Sequence, residues 1–172
     1  MRKIILNLAL SLDGYIEGPQ GEYDWCFTDQ DYGMTDFLGR IDGLLMGRGS
    51  FEVMQRDGLG LFTDKTWYVF STSLPEVPPG VHQIRDDWET RVRTLRTQPG
   101  GDLWLFGGAD LTAQFLRAGL VDELLLSIHP VLLGAGKPLF SQAHPREWFD
   151  LLAARSYETG LVQLHYQKKQ RL

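Results

Sequence analysis

Apolar residues along this chain fall into short continuous runs, separated by stretches where they recur every three or four positions. Residues 3–12 form the first run, with Ile4, Ile5, Leu6, Leu8, Ala9 and Leu10 filling both faces of an extended chain. A strand apolar on both faces belongs in the middle of a sheet. Residues 44–46, 66–70 and 103–106 read the same way, and the shorter run 81–84 as a strand nearer an edge. Helical spacing fills the intervals. Tyr32, Met34, Phe37 and Leu38 line a helix over 29–38, with Asp29 or Asp31 as its cap. Phe51 and Met54 point inward from a short helix after the turn 47–50, and Trp88, Val92 and Leu95 form the stripe of another. Asp86 and Glu89 have the spacing of a capping box at its start. From Leu111, Phe115 and Leu116 continue a helix that Gly119 stops.

Beyond residue 120 the alternation ends. Residues 123–133 read as a long strand, and 148–158 and 161–168 flank Thr159-Gly160 as an antiparallel hairpin. The whole pattern predicts a three-layer α/β fold: a mainly parallel sheet with an antiparallel C-terminal hairpin, organised as one domain over residues 1–172. At 172 residues the chain can bury a sizeable core. Its net charge of −5 argues against nucleic acid as a partner. One cysteine, Cys26, rules out an internal disulfide and suits a reducing cytoplasm. The basic, apolar start reads as the first strand rather than a signal peptide, and no run is long enough for a membrane span.

Candidate chemistry sits where strands end. Leu103 to Phe106 runs straight into Gly107 and Gly108 and then a helix. Two glycines without Cβ atoms and a helix start with free N–H groups suit a phosphate; a tight turn with no ligand fits the same residues. Gly47-Arg48 follows the strand at 44–46, and Ser71-Thr72 the strand at 66–70. In an open parallel sheet, ligands sit outside the carboxyl ends of the strands, so the three turns can converge on one ligand. Trp25 and Phe27 lie in a long glycine-bearing loop, as a lid or as an anchor to the core. Lys137 follows Gly134-Ala135-Gly136, but Pro138 succeeds it, so this is not a P-loop. The segment reads as a turn shaping the substrate side or as a dimer contact. The four histidines are scattered without a cysteine partner, so no metal is expected, and Cys26 has no activating neighbour in sequence.

Five segments, in order, resemble the dihydrofolate reductase-like superfamily: 7–16 (Asn-Leu-Ala-Leu-Ser-Leu-Asp-Gly-Tyr-Ile), 46–52, 70–73, 106–109 and 129–140. The chain is most similar to the branch related to the reductase domain of riboflavin-biosynthesis deaminase-reductases. That resemblance implies NADPH, with Gly107, Gly108 and Ala109 at the pyrophosphate, and Gly47 and Arg48 at the adenosine end. Arg48 would recognise the 2′-phosphate, and Ser71 and Thr72 would line the adenosine phosphate side. Ala9 and Ile16 would offer backbone groups to the nicotinamide carboxamide, and Gly18 would leave room beside the ring. Asp31 is the expected proton donor, on the helix where folate-reducing enzymes carry their acid; burial would have to raise its pKa. Asp13 matches the riboflavin-branch pattern, or ties down the turn before Gly14. The implied activity is reduction of a small heterocyclic or ribosylamino substrate, 5-amino-6-(5-phosphoribosylamino)uracil being the best-defined candidate, by a homodimer. A non-catalytic NADPH-binding or sensing protein that retains the fold is the alternative.

Overall fold

The structure, a computed structural model, describes residues 1–57, 62–140 and 144–170. Its centre is β1 (Ile4–Ser11), hydrogen-bonded in parallel to β6 (Asp102–Gly107) on one side and β7 (Glu123–His129) on the other. Beyond β6 lie β3 (Ile41–Gly47), β4 (Thr66–Phe70) and β5 (Val81–Ile84), all parallel. Beyond β7 the antiparallel hairpin β9 (Phe149–Ser156) and β10 (Val162–Lys168) completes eight strands in the order β5-β4-β3-β6-β1-β7-β10-β9. A small second sheet pairs β2 (Tyr15–Glu17) with β8 (Lys137–Pro138).

Strand alternation splits the core between the two faces of the large sheet. Ile4, Leu6, Leu45, Leu103 and Leu105 pack on one face with α3 (Trp88–Thr97) and α4 (Ala109–Arg117). Ile5, Leu44, Met46 and Trp104 pack on the other with α1 (Met34–Arg40) and α2 (Arg48–Asp57). Phe51 and Met54 of α2 and Val92 and Leu95 of α3 are buried, as their spacing predicts. The three-layer α/β expectation is met, with β1 central and β5 at an edge.

The differences have local causes. α1 begins at Met34 rather than near residue 29 because Tyr32 (φ 49°) and Gly33 (φ 76°) adopt left-handed backbone that breaks the helical path. β7 stops at His129 rather than 133, since Pro130 has no N–H to donate to a ladder. The capping box before α3 does not form: the cap is Asp87, left-handed at φ 49° with no side-chain bond, and Glu89 instead pairs with Arg93 one turn on. β2 and β8 are too short to leave a periodic signal. No described helix is long and apolar enough to cross a membrane.

Candidate active site

A cleft of about 1030 Å³ opens at the carboxyl ends of the parallel strands. Its floor is where β6 runs into α4. Gly107 takes φ 119°, the Gly107–Gly108 peptide is cis, and Gly108 caps a nine-residue helix without a side-chain bond. The first-turn N–H groups of a helix have no partner within it and carry the positive end of its dipole. α2 begins at Arg48, immediately after β3, and its first turn lines the same cleft through Arg48, Gly49 and Ser50. The two starts are neighbours: a Cβ added at Gly47 would stand 4.0 Å from the Gly107 carbonyl oxygen, and one at Gly108 would stand 3.9 Å from Ser50 Oγ. A Cβ at Gly107 would meet nothing within 4 Å. The two helix starts with glycines between them form a cradle that a diphosphate fits, and side chains there would occupy it.

Ser71 and Thr72 line the cleft from the turn after β4. Ser71 Oγ accepts the N–H groups of Ser73 and Leu74, both at 3.2 Å, which shapes that turn. Arg48 reaches across to it. Its guanidinium donates to Glu52 at 2.6 Å and to Ser73 Oγ at 2.9 Å, leaving the fork about half exposed at the rim. Arg85 and Trp88 also line this end, Trp88 stacked on Phe115. At the other end, toward β1, stand Ala9 on β1 and Ile16 and Glu17 on β2, with Lys137 of β8 beside them.

Nine of the ten residues expected at a cofactor therefore line one cleft: Ala9, Ile16, Gly47, Arg48, Ser71, Thr72, Gly107, Gly108 and Ala109. Gly18 does not line it. Its missing side chain accommodates the Glu22 carboxylate, and its N–H donates to the Glu22 carbonyl at 2.9 Å, so it serves the loop turn. Asp31 also lies outside the lining, exposed. Its carboxylate accepts the Thr35 hydroxyl at 2.7 Å and the Thr35 N–H at 3.0 Å. Those bonds hold it below the usual carboxylate value, the reverse of what a proton donor near neutrality needs. The geometry gives Asp31 the task of securing the start of α1.

The loop between β2 and α1 is both lining and anchor. Tyr23 and Cys26 line the cleft, and Tyr23 Oη donates to Asp57 Oδ2 at 3.2 Å, linking the loop to the end of α2. Arg56 holds Asp57 through two bonds of 2.8 and 2.7 Å. Trp25 and Phe27 pack edge-on against His129, with centroids at 5.3 and 5.0 Å, and the Phe27 N–H points at His129 Nε2 from 3.1 Å. His129 is buried, and burial pushes its imidazole below its ordinary value. A neutral ring with Nδ1–H on the Ser127 carbonyl (2.9 Å) leaves Nε2 free to accept that bond. Burial, with the Asp24 charge, pushes the Cys26 thiol up to about 11, so it is protonated at neutral pH. Tyr23, Asp57 and Arg85 had no local signal in the sequence; only the fold brings them to the cleft.

Known proteins resemble the chain over nearly its whole length. The family model of the RibD C-terminal domain matches residues 2–163. The uncharacterized protein YyaP of Bacillus subtilis (strain 168) is 43% identical over 177 residues, covering 96% of this chain and 94% of that protein. A crystal structure named for riboflavin biosynthesis, from Shewanella sp. PV-4, superposes with a TM-score of 0.86 at 29% identity, covering 99% of this chain and 100% of that one. Dihydrofolate reductase from Enterococcus faecalis, complexed with NADP(H) and RAB-propyl, superposes with a TM-score of 0.72 at 17% identity, covering 98% of this chain and 97% of that one. The fold is dihydrofolate reductase-like.

Proposed function

Because the chain belongs to the RibD C-terminal domain family, a reductase family, we propose that it is an NADPH-dependent reductase of a small heterocyclic or ribosylamino substrate. Reduction of the ribosylamino group of a phosphorylated aminouracil, in riboflavin biosynthesis, is the best-defined form of that reaction. The observation that carries the reading is the convergence of two helix starts and a glycine pair on one long cleft, with a cation at its rim. In this reading the backbone around Gly107, Gly108 and Ala109 grips the diphosphate. Arg48 meets the 2′-phosphate with a planar fork of donors, and Ser71 and Thr72 line the adenosine phosphate side. Ala9 and Ile16 offer backbone groups to the carboxamide.

Bound there, NADPH would supply the hydride. The chain's own contribution is position and dryness: the reacting carbons must meet at about 3–3.5 Å in a site closed to water. Tyr23 and Cys26 stand over the cleft for that purpose, held by the contacts to Asp57 and His129. We assign no proton to Asp31. A homodimer through β9, the edge strand of the described sheet, where Leu151 and Leu152 are half exposed, fits the same reading; a monomer mass in sedimentation would remove it. The single cysteine suits a reducing cytoplasm.

The test is calorimetric titration of wild type and Arg48→Ala with NADPH and NADH. Wild type should prefer NADPH, and the variant should lose about 10–100-fold for NADPH alone, the worth of one or two charge-assisted bonds. Equal loss for both nucleotides would contradict the 2′-phosphate assignment. Tight NADPH binding without NADPH oxidation by aminouracil, pterin or quinone acceptors would favour the non-catalytic alternative.

A further inference from the structure

The Gly-Ala-Gly-Lys segment is not absorbed by cofactor binding, yet the fold builds it with care. Asp13 lies in the turn between β1 and β2. Its carboxylate accepts the Ser11 hydroxyl at 2.7 Å and the N–H groups of Leu133 and Gly134 at 3.1 and 2.8 Å. Those bonds, the Ser11 hydroxyl foremost, hold it below the usual carboxylate value and therefore charged. The Leu12 N–H bonds the Val131 carbonyl at 2.9 Å, and the Leu139 N–H bonds the Gly14 carbonyl at 3.0 Å. Gly136 takes φ 139°, and a Cβ there would overlap the Glu17 carbonyl oxygen. Only glycine lets the chain press this closely onto β2. The next residue is Lys137, opposite Glu17 in the β2–β8 register, and both line the cleft.

Among the described cations lining the cleft, Lys137 is the least engaged. Arg48, Arg56 and Arg85 each hold side-chain or backbone acceptors at 3.1 Å or less. Among the described residues the Lys137 ammonium has only a loose pair with Glu17 at 3.9 Å, beyond hydrogen-bond length, and is nearly half exposed. It stands at the β1–β2 end, beside Ile16 and away from the turns after β3 and β4. If the diphosphate lies over β6 and the adenosine over β3 and β4, this end faces the substrate.

We propose that Lys137 selects a substrate carrying an anionic oxygen group, a carboxylate or a phosphate monoester, next to the reducible centre, with Glu17 as its counterweight. The inference rests on the cofactor placement argued above. An approaching anion gains an ammonium with free donors, while Glu17 opposes it and limits how tightly any anion is held. The two residues must therefore act with opposite sign. A segment that merely shapes the turn would show no such opposition.

NADPH-saturated protein is titrated at fixed ionic strength with matched probes: orotate against uracil for a carboxylate, ribose 5-phosphate against ribose for a phosphate. Wild type should bind at least one charged probe about tenfold tighter than its neutral partner, a modest fraction of an ion pair's worth near a protein surface. Lys137→Met should abolish that preference, Glu17→Gln should widen it, and neither should change the affinity for NADPH. Which pair shows the effect identifies the anion. A preference that is absent in wild type, survives in Lys137→Met, or shifts the same way in both variants overturns the proposal. Loss of NADPH binding in wild type would instead remove the cofactor placement, and this inference with it.

Discussion

Replacing Gly108 with valine is expected to weaken NADPH binding by about 100-fold or more, some 3 kcal/mol, in a protein that still folds by circular dichroism. Gly108 has φ −83° and ψ −162°, outside the left-handed region that favours glycine. The nearest atom to an added Cβ is Ser50 Oγ at 3.9 Å, so a side chain has room. That room is the floor of the cleft, between the starts of α2 and α4. Valine methyl groups there would hold a diphosphate off the first-turn N–H groups. Each charge-assisted bond lost costs about 1.5–3 kcal/mol, and two account for the expected change. Unaltered affinity would mean that the diphosphate does not sit against this turn.

The second large effect lies at the opposite end of the strands. Glu123 starts β7 with its side chain only 2% exposed, and its carboxylate meets Lys3 at 2.6 Å, His165 at 2.8 Å and Arg40 at 3.1 Å. Burial alone would raise its pKa, but the bonds from Lys3 and His165 and the charge of Arg40 outweigh burial and hold it below the usual 4.5. Glu123→Ala removes the acceptor shared by those donors; Lys3 and Arg40 are about two-fifths exposed and turn to water, so the loss is that of charged hydrogen bonds and not of a stranded buried charge. A loss of about 2–3 kcal/mol is expected, and a melting temperature lower by roughly 6 °C. The depressed folded-state value fixes the pH dependence. Stabilisation by Glu123 is complete above the ordinary carboxylate value and is lost as pH falls through the folded one. The gap between wild type and variant should therefore narrow in acid. Melting curves within 2 °C of each other at pH 7, a difference of at most roughly 1 kcal/mol, would show that the cluster contributes little.

Much of the fold was legible because strong local signals coincide with tertiary ones. β4 is the five-residue run of Thr66 to Phe70, and Gly119, at φ 67°, ends α4 where the apolar spacing stops. The cofactor cleft was legible because its residues sit directly after buried strands, and a parallel sheet gathers those positions along one edge. Other features lacked a local signature. Nothing in the order of residues 29–36 says that left-handed Tyr32 and Gly33 delay the helix, leaving Asp31 exposed on Thr35. The resemblance makes Gly18 space beside a ligand, but the space is taken by Glu22 four residues on. The sequence around Lys137 shows only its glycines and the following proline. Its position at the cleft depends on Asp13, more than a hundred residues earlier, and only the fold brings them together.

A crystal structure of the NADPH complex is the decisive measurement. The diphosphate is expected within hydrogen-bond reach of the backbone N–H groups that follow Gly107, the 2′-phosphate on the Arg48 guanidinium, and the nicotinamide between Ala9 and Ile16. A diphosphate bound anywhere else, or a cleft that stays closed to saturating NADPH, would contradict that placement.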